Sequence, residues 1–415
     1  MSQPLYPTGD QTLLREMNLA AIMNHVRERA PVSRTALAGA TGLNKTTVSS
    51  LVRELIDRGF LHEINTWSNG IGRPAVMLEL NPQAGCIISC EIGVDFILVI
   101  RANFSSEIVW RHQERTQPEL GQDAIMQRVL ALLHRATEPQ SGCRTRLLGL
   151  AIGIPGLIDQ ESGTVLFAPN LGWQNIPVRD LLRAEFDTPL FVDNEANLAA
   201  LGEYYFGAAT GYDEVLYISD GVGLGGGIVR NGQLFKGATG FAGEFGHMTM
   251  DPNGLECNCG NRGCWETLVS QRALFRLVRE AIEAGQSTLV TQLVNGDLDR
   301  MSIATVVQAA RANDSVALEA LATIGRYLGI GIANLVNALN PKLVVFGGIL
   351  SLAWDYLAPA IREELHRRAL RWNESAARLV LARHGFDACV MGGIAMLYYA
   401  ILTQPATMVR QMAMH

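Results

Sequence analysis

The sequence predicts an α/β protein that begins with a small helical segment. Three observations lead to this prediction. Apolar residues follow a helical period up to Gly59, whereas apolar runs of strand length alternate with helical stretches from Gly85 onward. The chain also has 415 residues, which is too long for a single domain, so we expect two or three.

The composition is that of a folded protein, with 48% hydrophobic and 18% charged residues. Such a chain buries sizeable cores and is not disordered. The net charge of -6 gives no sign of nucleic-acid binding over the whole chain. Divided at Pro82, however, the N-terminal part carries eight basic and seven acidic residues, and the remainder carries 26 and 33. Most of the negative charge therefore lies outside the N-terminal segment.

The seven cysteines indicate a reducing compartment, because their number is odd and three of them cluster at 257, 259 and 264. The N-terminus lacks the charged and apolar regions of a signal peptide. No run of about 18 uncharged apolar residues is evident, so we expect no membrane span. These features predict a cytoplasmic protein.

The N-terminal segment has the spacing of a helix-turn-helix. A first helix carries an apolar face and stops before Pro31, Ser33 can cap a second helix that ends at Gly42, and Asn44 can cap a third that ends at Gly59. Only a few residues separate the second and third helices. The apolar faces of the first and third helices are formed by Leu19, Ile22, Met23 and Val26, and by Val48, Leu51, Val52 and Leu55.

The outer face of the third helix is typical of a helix that lies in a DNA major groove. Short hydroxyl side chains reach phosphates and base edges, and an arginine can bind guanine through two hydrogen bonds. The residues predicted to contact DNA on this face are Lys45, Thr46, Thr47, Ser50 and Arg53. An isolated helix with such a face is as readily a solvated surface, and a winged helix can also bind another protein.

Two alternating segments, 60–64 and 76–80, follow the third helix and predict a β-hairpin, or wing. Arg73 lies at its glycine-containing tip, from which it could enter a narrow minor groove. The rest of the chain predicts an α/β body. Its apolar runs with strand character are 86–100, 147–154, 190–192, 215–218 and 343–346.

One histidine and three cysteines fall within residues 247–264 and form the ligand set of a closed tetrahedral zinc site. These predicted ligands are His247, Cys257, Cys259 and Cys264. Gly260 and Gly263 provide the permissive backbone that a tight metal loop needs. Because Glu244 and Glu266 flank the segment, we expect the metal to shape a binding pocket.

From these motifs the chain resembles the ROK family (repressors, open reading frames and kinases), in its xylose-repressor-like branch. The resemblance covers nearly everything from Leu13 to Leu402, and the cysteine segment is its most specific part. The other segments that carry it are Gly-Ile-Pro-Gly at 153–156, Pro-Asn-Leu-Gly-Trp at 169–173, Val-Asp-Asn-Glu-Ala-Asn at 192–197, Gly-Val-Gly-Leu-Gly at 221–225, Glu-Phe-Gly-His at 244–247, Asn-Pro at 340–341 and Gly-Gly at 347–348.

The resemblance implies two actin-like lobes of the sugar-kinase and Hsp70 type behind the winged helix-turn-helix. We expect the winged helix in 1–82, lobe I in 83–200 with a C-terminal helix from about 388–403, and lobe II in 201–387 with the zinc loop at 247–264. Sugar would lie between the lobes. The residues that match sugar-binding positions are Gly156, Asn170, Asn194, Glu195, Glu244, His247 and Glu266. Carboxylates and amides satisfy the paired donors and acceptors of vicinal hydroxyls.

Three departures from the family's kinases predict that the cleft is not catalytic. Glu91 and Asp95 stand where the kinases have Asp and a hydroxyl residue in the first phosphate turn. Val222 replaces the threonine of the second phosphate turn. Glu195 replaces the aspartate base, and a shift of about 1 Å at this position can cost roughly 100-fold in rate. We therefore expect structural zinc but no ATP.

These features predict a sugar-responsive transcriptional regulator, most simply a repressor that binds operator DNA as a homodimer or homotetramer. Xylose and glucose are the expected effectors, and no membrane partner is expected. The alternative is an active ATP-dependent sugar kinase with an appended winged helix. A third possibility is a scaffold whose winged helix binds protein.

Overall fold

The computed structural model describes residues 11–67, 75–138 and 146–403. Its N-terminal part is a winged helix in which a three-stranded antiparallel sheet of order β1-β3-β2 packs beside three helices. The elements are α1 (Gln11–Arg29), β1 (Val32–Ser33), α2 (Arg34–Thr41), α3 (Lys45–Asp57), β2 (Leu61–Trp67) and β3 (Ala75–Leu80).

The caps predicted from the sequence are confirmed in this winged helix. Ser33 accepts a hydrogen bond from the Ala36 amide at 3.2 Å, and Asn44 accepts one from the Thr47 amide at 2.8 Å. Gly42 ends α2 in the left-handed region with φ of 70°. Because each cap satisfies an amide that has no partner within its helix, the turn between α2 and α3 is fixed locally.

Lobe I contains a five-stranded sheet of order β11-β7-β4-β5-β6 and a small antiparallel sheet of order β10-β9-β8. Strands β11, β7 and β4 are parallel, and β4, β5 and β6 form an antiparallel meander. The elements are β4 (Cys86–Ile92), β5 (Phe96–Asn103), β6 (Ile108–Arg115), α4 (Gln122–Thr137), β7 (Leu147–Ile154), β8 (Leu157–Asp159), β9 (Thr164–Ala168), β10 (Trp173–Ile176), α5 (Val178–Arg183) and β11 (Leu190–Asn194).

The apolar run at 86–100, which was predicted to have strand character, forms β4 and most of β5. The chain reverses where the Gly93 amide donates to the Phe96 carbonyl at 2.8 Å. Both strands are buried over most of their length, and Gly93 and Asp95 lie in the turn between them.

Lobe II repeats the pattern of lobe I with a sheet of order β14-β13-β12-β15-β16, in which β12 to β14 form the meander and β15 and β16 run parallel to β12. The elements of the chain from the end of lobe I onward are α6 (Glu195–Phe206), β12 (Glu214–Asp220), β13 (Leu224–Arg230), β14 (Gln233–Leu234), α7 (Glu266–Val269), α8 (Gln271–Glu283), α9 (Leu289–Leu293), α10 (Ile303–Arg311), α11 (Ser315–Leu339), β15 (Leu343–Gly348), α12 (Trp354–Arg368), α13 (Arg371–Ala376), β16 (Arg378–Leu381) and α14 (Ala388–Thr403).

The repeated sheet order confirms the predicted class, an α/β body of two actin-like lobes behind a winged helix. Helices α6 and α14 pack closely against each other, and Gly202 and Gly392 allow their backbones to approach. The expected division between the lobes at residue 200 falls inside α6.

Two segments, Ser315–Leu339 and Gly385–Thr403, are long and apolar enough to span a membrane, but their apolar windows are 61% and 67% buried, as in core helices.

The winged helix and lobe I share one apolar core. Residues of α1 and α3 belong to the same cluster of buried side chains as residues of β4, β5 and α14. Aromatic rings join these parts, because the centroids of Phe60 and Phe104 lie 5.2 Å apart and those of Phe104 and Tyr398 lie 5.3 Å apart. The ring centroid of Phe206, at the end of α6, lies 6.1 Å from that of Tyr398. The winged helix is therefore packed on the body of the protein through apolar contacts.

Candidate functional site

A cavity of about 770 Å³ lies between the two lobes. This volume falls within the range of roughly 300–1,000 Å³ that is typical of small-molecule sites. All of the residues that the sequence assigned to a sugar site line it: Gly156, Asn170, Asn194, Glu195, Glu244, His247 and Glu266. The fold therefore brings together side chains that lie far apart in the sequence.

The lobe I side of the cavity is formed where β7 and β11 end. These strands are parallel, so their carboxyl ends meet at the same edge of the sheet. Gly156 follows β7 with φ of 116°, and a Cβ atom there would lie 2.3 Å from the Phe167 carbonyl oxygen. Asn194 ends β11 and caps α6, and its side-chain amide donates to the Gly156 carbonyl at 3.1 Å. Asn194 thus positions the turn and the helix as well as facing the cavity.

Glu195 is the first residue of α6 and has an unusual carboxyl group. Its Oε2 atom is buried and has no hydrogen-bond partner among the described residues. Burial raises the pKa of Glu195 to about 7, and the negative charge of Glu244 adds to the effect. Near neutral pH this group can therefore either accept a hydrogen bond from a ligand hydroxyl or donate one to it.

The four predicted metal ligands converge, with ligand atoms that all lie within 4.8 Å of one another. The Sγ atoms of Cys259 and Cys264 are 3.7 Å apart, and Cys257 Sγ is 3.7 Å from His247 Nδ1. Bond lengths of about 2.3 Å to sulfur in a tetrahedron place neighbouring sulfur atoms roughly 3.8 Å apart. The spacing therefore fits one tetrahedral ion of the size of Zn²⁺. Burial raises the pKa of the Cys257 and Cys264 thiols, so a bound cation is needed to hold them as thiolates.

The two nitrogens of His247 face different surroundings. Nδ1 faces the cysteines, whereas Nε2 lies 3.9 Å from Glu244 Oε2 beside the cavity. A metal on Nδ1 leaves Nε2 available to Glu244 or to a ligand. The arrangement therefore allows His247 to be a metal ligand and a pocket residue together, as the sequence predicted.

The end of the cysteine segment is anchored to the core of lobe II. Trp265 is fully buried, and its indole nitrogen donates to the Tyr327 carbonyl at 3.0 Å. Its ring lies against Gly331 of α11, where a Cβ atom would lie only 2.1 Å from the ring. Glu266 follows directly, and its carboxylate accepts hydrogen bonds from the Leu224 amide at 3.3 Å and the Cys257 thiol at 2.8 Å. The buried Trp265 and these hydrogen bonds therefore hold the Glu266 carboxylate in place beside the cavity.

The cysteine segment also reaches lobe I. Asn258, between two of the cysteines, donates to Asn170 Oδ1 at 3.0 Å, and Arg272 of α8 donates to the same oxygen at 3.4 Å. Asn170 is thus held from the other side of the cleft. This contact bridges the two lobes next to the predicted metal site.

Three more lining residues, Glu91, Asp95 and Val222, depart from the kinase pattern as Glu195 does. Burial, followed by the nearby charge of Glu195, raises the pKa of Glu91 to about 8. Burial also raises the pKa of Asp95. Val222 lies in the turn that faces them, where it offers no hydroxyl group.

Sequence reasoning missed two residues of the cavity, Asp220 and Gln271. Asp220 ends β12 and is fully buried, and burial raises its pKa well above the ordinary value. Neither of its carboxylate oxygens, nor Gln271 Oε1, has a hydrogen-bond partner within the described ranges. The one signal in the sequence was an acidic residue directly before the glycine turn at 221–223.

On the winged helix, the predicted DNA-contact face is displayed by α3. Lys45, Thr46, Ser50 and Arg53 are exposed and Thr47 is half-buried, whereas the opposite face of the helix is buried. The cap at Asn44 orients the first turn of this face. Arg73 lies outside the described residues, so its placement at the wing tip stays a prediction.

Comparison with known proteins matches both parts of the chain. The ROK family profile matches residues 87–399, and that of the IclR helix-turn-helix domain matches residues 17–64. The xylose repressor of Caldicellulosiruptor bescii is 35% identical over 96% of this chain and 99% of its own length.

Two solved structures show the same fold. A ROK family transcriptional regulator described as a homologue of the E. coli MLC protein has a TM-score of 0.83 and 28% identity over 97% of this chain and 100% of its own. A ROK family glucokinase from Streptomyces griseus, solved with glucose and AMPPNP, has a TM-score of 0.68 and 32% identity over 75% of this chain and 99% of its own. The kinase lacks a counterpart for about a quarter of this chain, whereas the regulator matches nearly all of it. This chain belongs to the ROK family.

Proposed function

We propose that this protein is a transcriptional repressor that binds operator DNA through its winged helix and is controlled by a neutral sugar in the interlobe cavity. The observation that carries the proposal is the shared apolar core, which joins a DNA-binding motif directly to the lobe that lines the cavity. The full-length similarity to a xylose repressor supports it. Xylose and glucose are the proposed effectors, because the polar groups that line the cavity suit ring hydroxyls.

The exposed face of α3 would read the operator. Its hydroxyl groups and Lys45 would contact phosphates and position the helix, and Arg53 would contact a base edge. Helix-turn-helix proteins read two half-sites as symmetric dimers, so we propose a homodimer or a pair of homodimers.

The histidine and cysteine cluster would hold a structural zinc ion, which is the chemistry that its donor set fits best. Its role in binding would be indirect. The metal would fix the loop that carries His247, and the buried Trp265 would fix Glu266. Ligands held in this way present their polar atoms at defined angles to a sugar.

Two helices provide a physical route from the cavity to the winged helix. Glu195 begins α6 in the cavity, and Ala388 and Cys389 begin α14 there. The far ends of both helices, at Phe206 and Tyr398, lie in the aromatic cluster beneath the winged helix. A sugar that favours one arrangement of α6 and α14 would therefore also favour one placement of the winged helix, which is the unequal binding that coupling requires.

We further propose that the cavity does not transfer phosphate. Glu91, Asp95 and Asp220 place carboxyl groups where a triphosphate would need cations or hydroxyl donors. Glu195 occupies the base position of the kinases. Because the chain is also similar to a ROK family glucokinase, phosphoryl transfer is the alternative function to test. Incubation with xylose or glucose, ATP and Mg²⁺ should release no ADP beyond the rate without sugar.

The test of the proposal is a titration of operator binding by fluorescence anisotropy, with the operator identified by selection from random DNA. Millimolar xylose or glucose should weaken operator binding. A sugar that binds in calorimetry but leaves operator affinity unchanged would overturn the coupling.

The Tyr398→Leu variant tests the route. It should bind both operator and sugar while the effect of sugar on the operator is reduced, and a thermal melt checks that it is folded. Ile303→Val, a conservative change in the core of lobe II away from α14, is the matched control and should retain the response.

A further inference from the structure

The cavity is larger than one sugar ring requires. At roughly 30 Å³ for each water molecule, its volume of about 770 Å³ has room for about 25 waters, several times what a single aldose ring displaces. The glycine turn at 221–223 forms part of its wall, where Gly223 is close to Glu266 and the Gly221 carbonyl accepts from the Gln271 backbone amide. We call the part of the lining formed by Phe96, Asp220, Val222, Gln271, Ile349 and Phe386 the distal half.

The distal half contains polar groups whose hydrogen bonds are incomplete. Asp220 is fully buried, and both of its oxygens lack partners among the residues that the structure describes, as does Gln271 Oε1. Buried acceptors without donors destabilise a fold by roughly 1–3 kcal/mol each, so such groups mark a place where a ligand supplies the donors. The incomplete groups are all acceptors or acids, which indicates a ligand rich in hydroxyl groups.

The lining offers little positive charge to a phosphorylated ligand. Seven carboxyl side chains line the described cavity, against the single arginine Arg115. Phosphate groups are held best by cationic donors, whereas Asp220 and Glu91 carry no positive charge whether or not they are protonated. A metal ion does not fit either, because the histidine and cysteine cluster is the only described group of such side chains whose ligand atoms converge.

The distal half also offers apolar surface for a ring. Phe96 begins β5, and Phe386 lies just before α14. Ile349 follows Gly348, which pairs with Asp220 across β12 and β15, and all three of these apolar residues line the cavity. Aromatic and aliphatic surface beside hydroxyl acceptors is suited to a sugar, whose C–H faces are apolar and whose edge is polar.

We propose that the distal half is a second sugar subsite, so that the ligand that fills the whole cavity is a neutral disaccharide. The first ring would lie against the residues around His247 and Glu266, and the second would lie in the distal half against Phe386 and Gln271. This inference rests on the proposed function, because it assumes that a sugar occupies the first half.

Calorimetry on the full-length zinc-loaded protein tests the subsite with matched pairs, xylose with xylobiose and glucose with cellobiose. At least one disaccharide should bind about tenfold or more tightly than its monosaccharide, a difference of ~1.4 kcal/mol. Monosaccharides that bind and release the operator while neither disaccharide gains affinity would overturn the subsite and leave the proposed function intact. Failure of every sugar to bind would instead count against the proposed function.

Variants locate the second ring. Phe386→Ala should remove the disaccharide's advantage and leave the monosaccharide affinity unchanged, and Gln271→Ala should act in the same direction. Phe386 is 42% exposed, so its truncation should not disturb the fold. Glu244→Gln is the matched control in the first half and should weaken both sugars of a pair equally. Competition between Mg²⁺-AMPPNP and the disaccharide would assign the distal half to a nucleotide and overturn the proposal.

Discussion

The winged helix and the interlobe cavity differ in the surroundings of their polar groups. In the winged helix the described core is apolar except for Glu16, and the polar groups that end its helices are capped by Ser33 and Asn44. In the cavity, by contrast, Glu91 and Asp220 are buried among carboxyl groups of the same charge.

This difference shows where each part depends on a partner. The winged helix depends on lobe I for part of its apolar core, and its predicted DNA contacts lie on the exposed face of α3. The cavity contains buried acceptors that have no partner among the described residues. Substitutions in one of the two regions should therefore leave the other largely unaffected.

The largest effect is expected from Cys259→Ser, which should abolish metal binding and lower sugar affinity more than 100-fold. Loss of a residue that hydrogen-bonds to a metal ligand already lowers metal affinity or activity ~10–100-fold, and Cys259→Ser removes a ligand itself. Operator affinity without sugar should be retained, because the winged helix packs on lobe I, whereas Cys259 lies in lobe II. Metal analysis and calorimetry measure the effect, with Cys86→Ala as a control outside the cluster. Zinc content and sugar affinity equal to the wild type would refute the link between them.

The free energy of unfolding should fall as pH rises from about 4.5 to about 8, and Glu91→Gln should flatten this dependence by about 4 kcal/mol. The folded-state pKa of Glu91 is raised from 4.5 to about 8, so the folded protein binds the proton more tightly. The stabilisation from the protonated group is complete below the unfolded pKa and is lost as pH rises through the folded one. Urea denaturation at several pH values measures the slope, and an unchanged slope in the variant would contradict the assignment.

Arg53→Ala should weaken operator binding by about 1–3 kcal/mol while sugar affinity stays unchanged. Lys45→Ala should weaken binding to all DNA sequences equally, and the salt dependence of the affinity should fall by about one charge. Anisotropy titrations at several salt concentrations separate these effects. Arg311→Ala, on α10 of lobe II, is the matched control. Equal operator binding by the Arg53 variant would favour a winged helix that binds protein.

The smallest effect is expected from Asn258→Ala, which removes the hydrogen bond to Asn170 across the cleft. A neutral hydrogen bond contributes about 0.5–1.5 kcal/mol, so sugar affinity should fall roughly two- to tenfold with metal content unchanged. Asn261→Ala is the control, because Asn261 donates to Thr249 within the same lobe. If both variants lose affinity equally, the bridge between the lobes is not the cause.

Features whose chemistry is local in the chain could be predicted from the sequence. The caps at Ser33 and Asn44 and the ligand set from His247 to Cys264 each lie within a short segment, so residue type and spacing were sufficient. The order of the strands within the lobes was not available from spacing, since it depends on pairs such as β4 with β7 that are distant in sequence.

Asp220 and Gln271 could not be found in this way, because what distinguishes them is the absence of partners after folding. In the hairpin within 86–100, Gly93 and Asp95 mark the turn, but the antiparallel pairing of the two buried strands is seen only in the folded sheet. Residues that depend on tertiary contacts are therefore the ones that sequence reasoning misses.

The aromatic contacts beneath the winged helix have a consequence for how this family can diversify. Since Phe60 packs on Phe104, and Phe104 on Tyr398, the DNA-binding segment does not behave as an interchangeable cassette. Transplanting it into a relative would require compatible side chains on β5 and α14 as well. New operator preferences are acquired more easily by replacing the exposed residues of α3, which contribute nothing to that shared core.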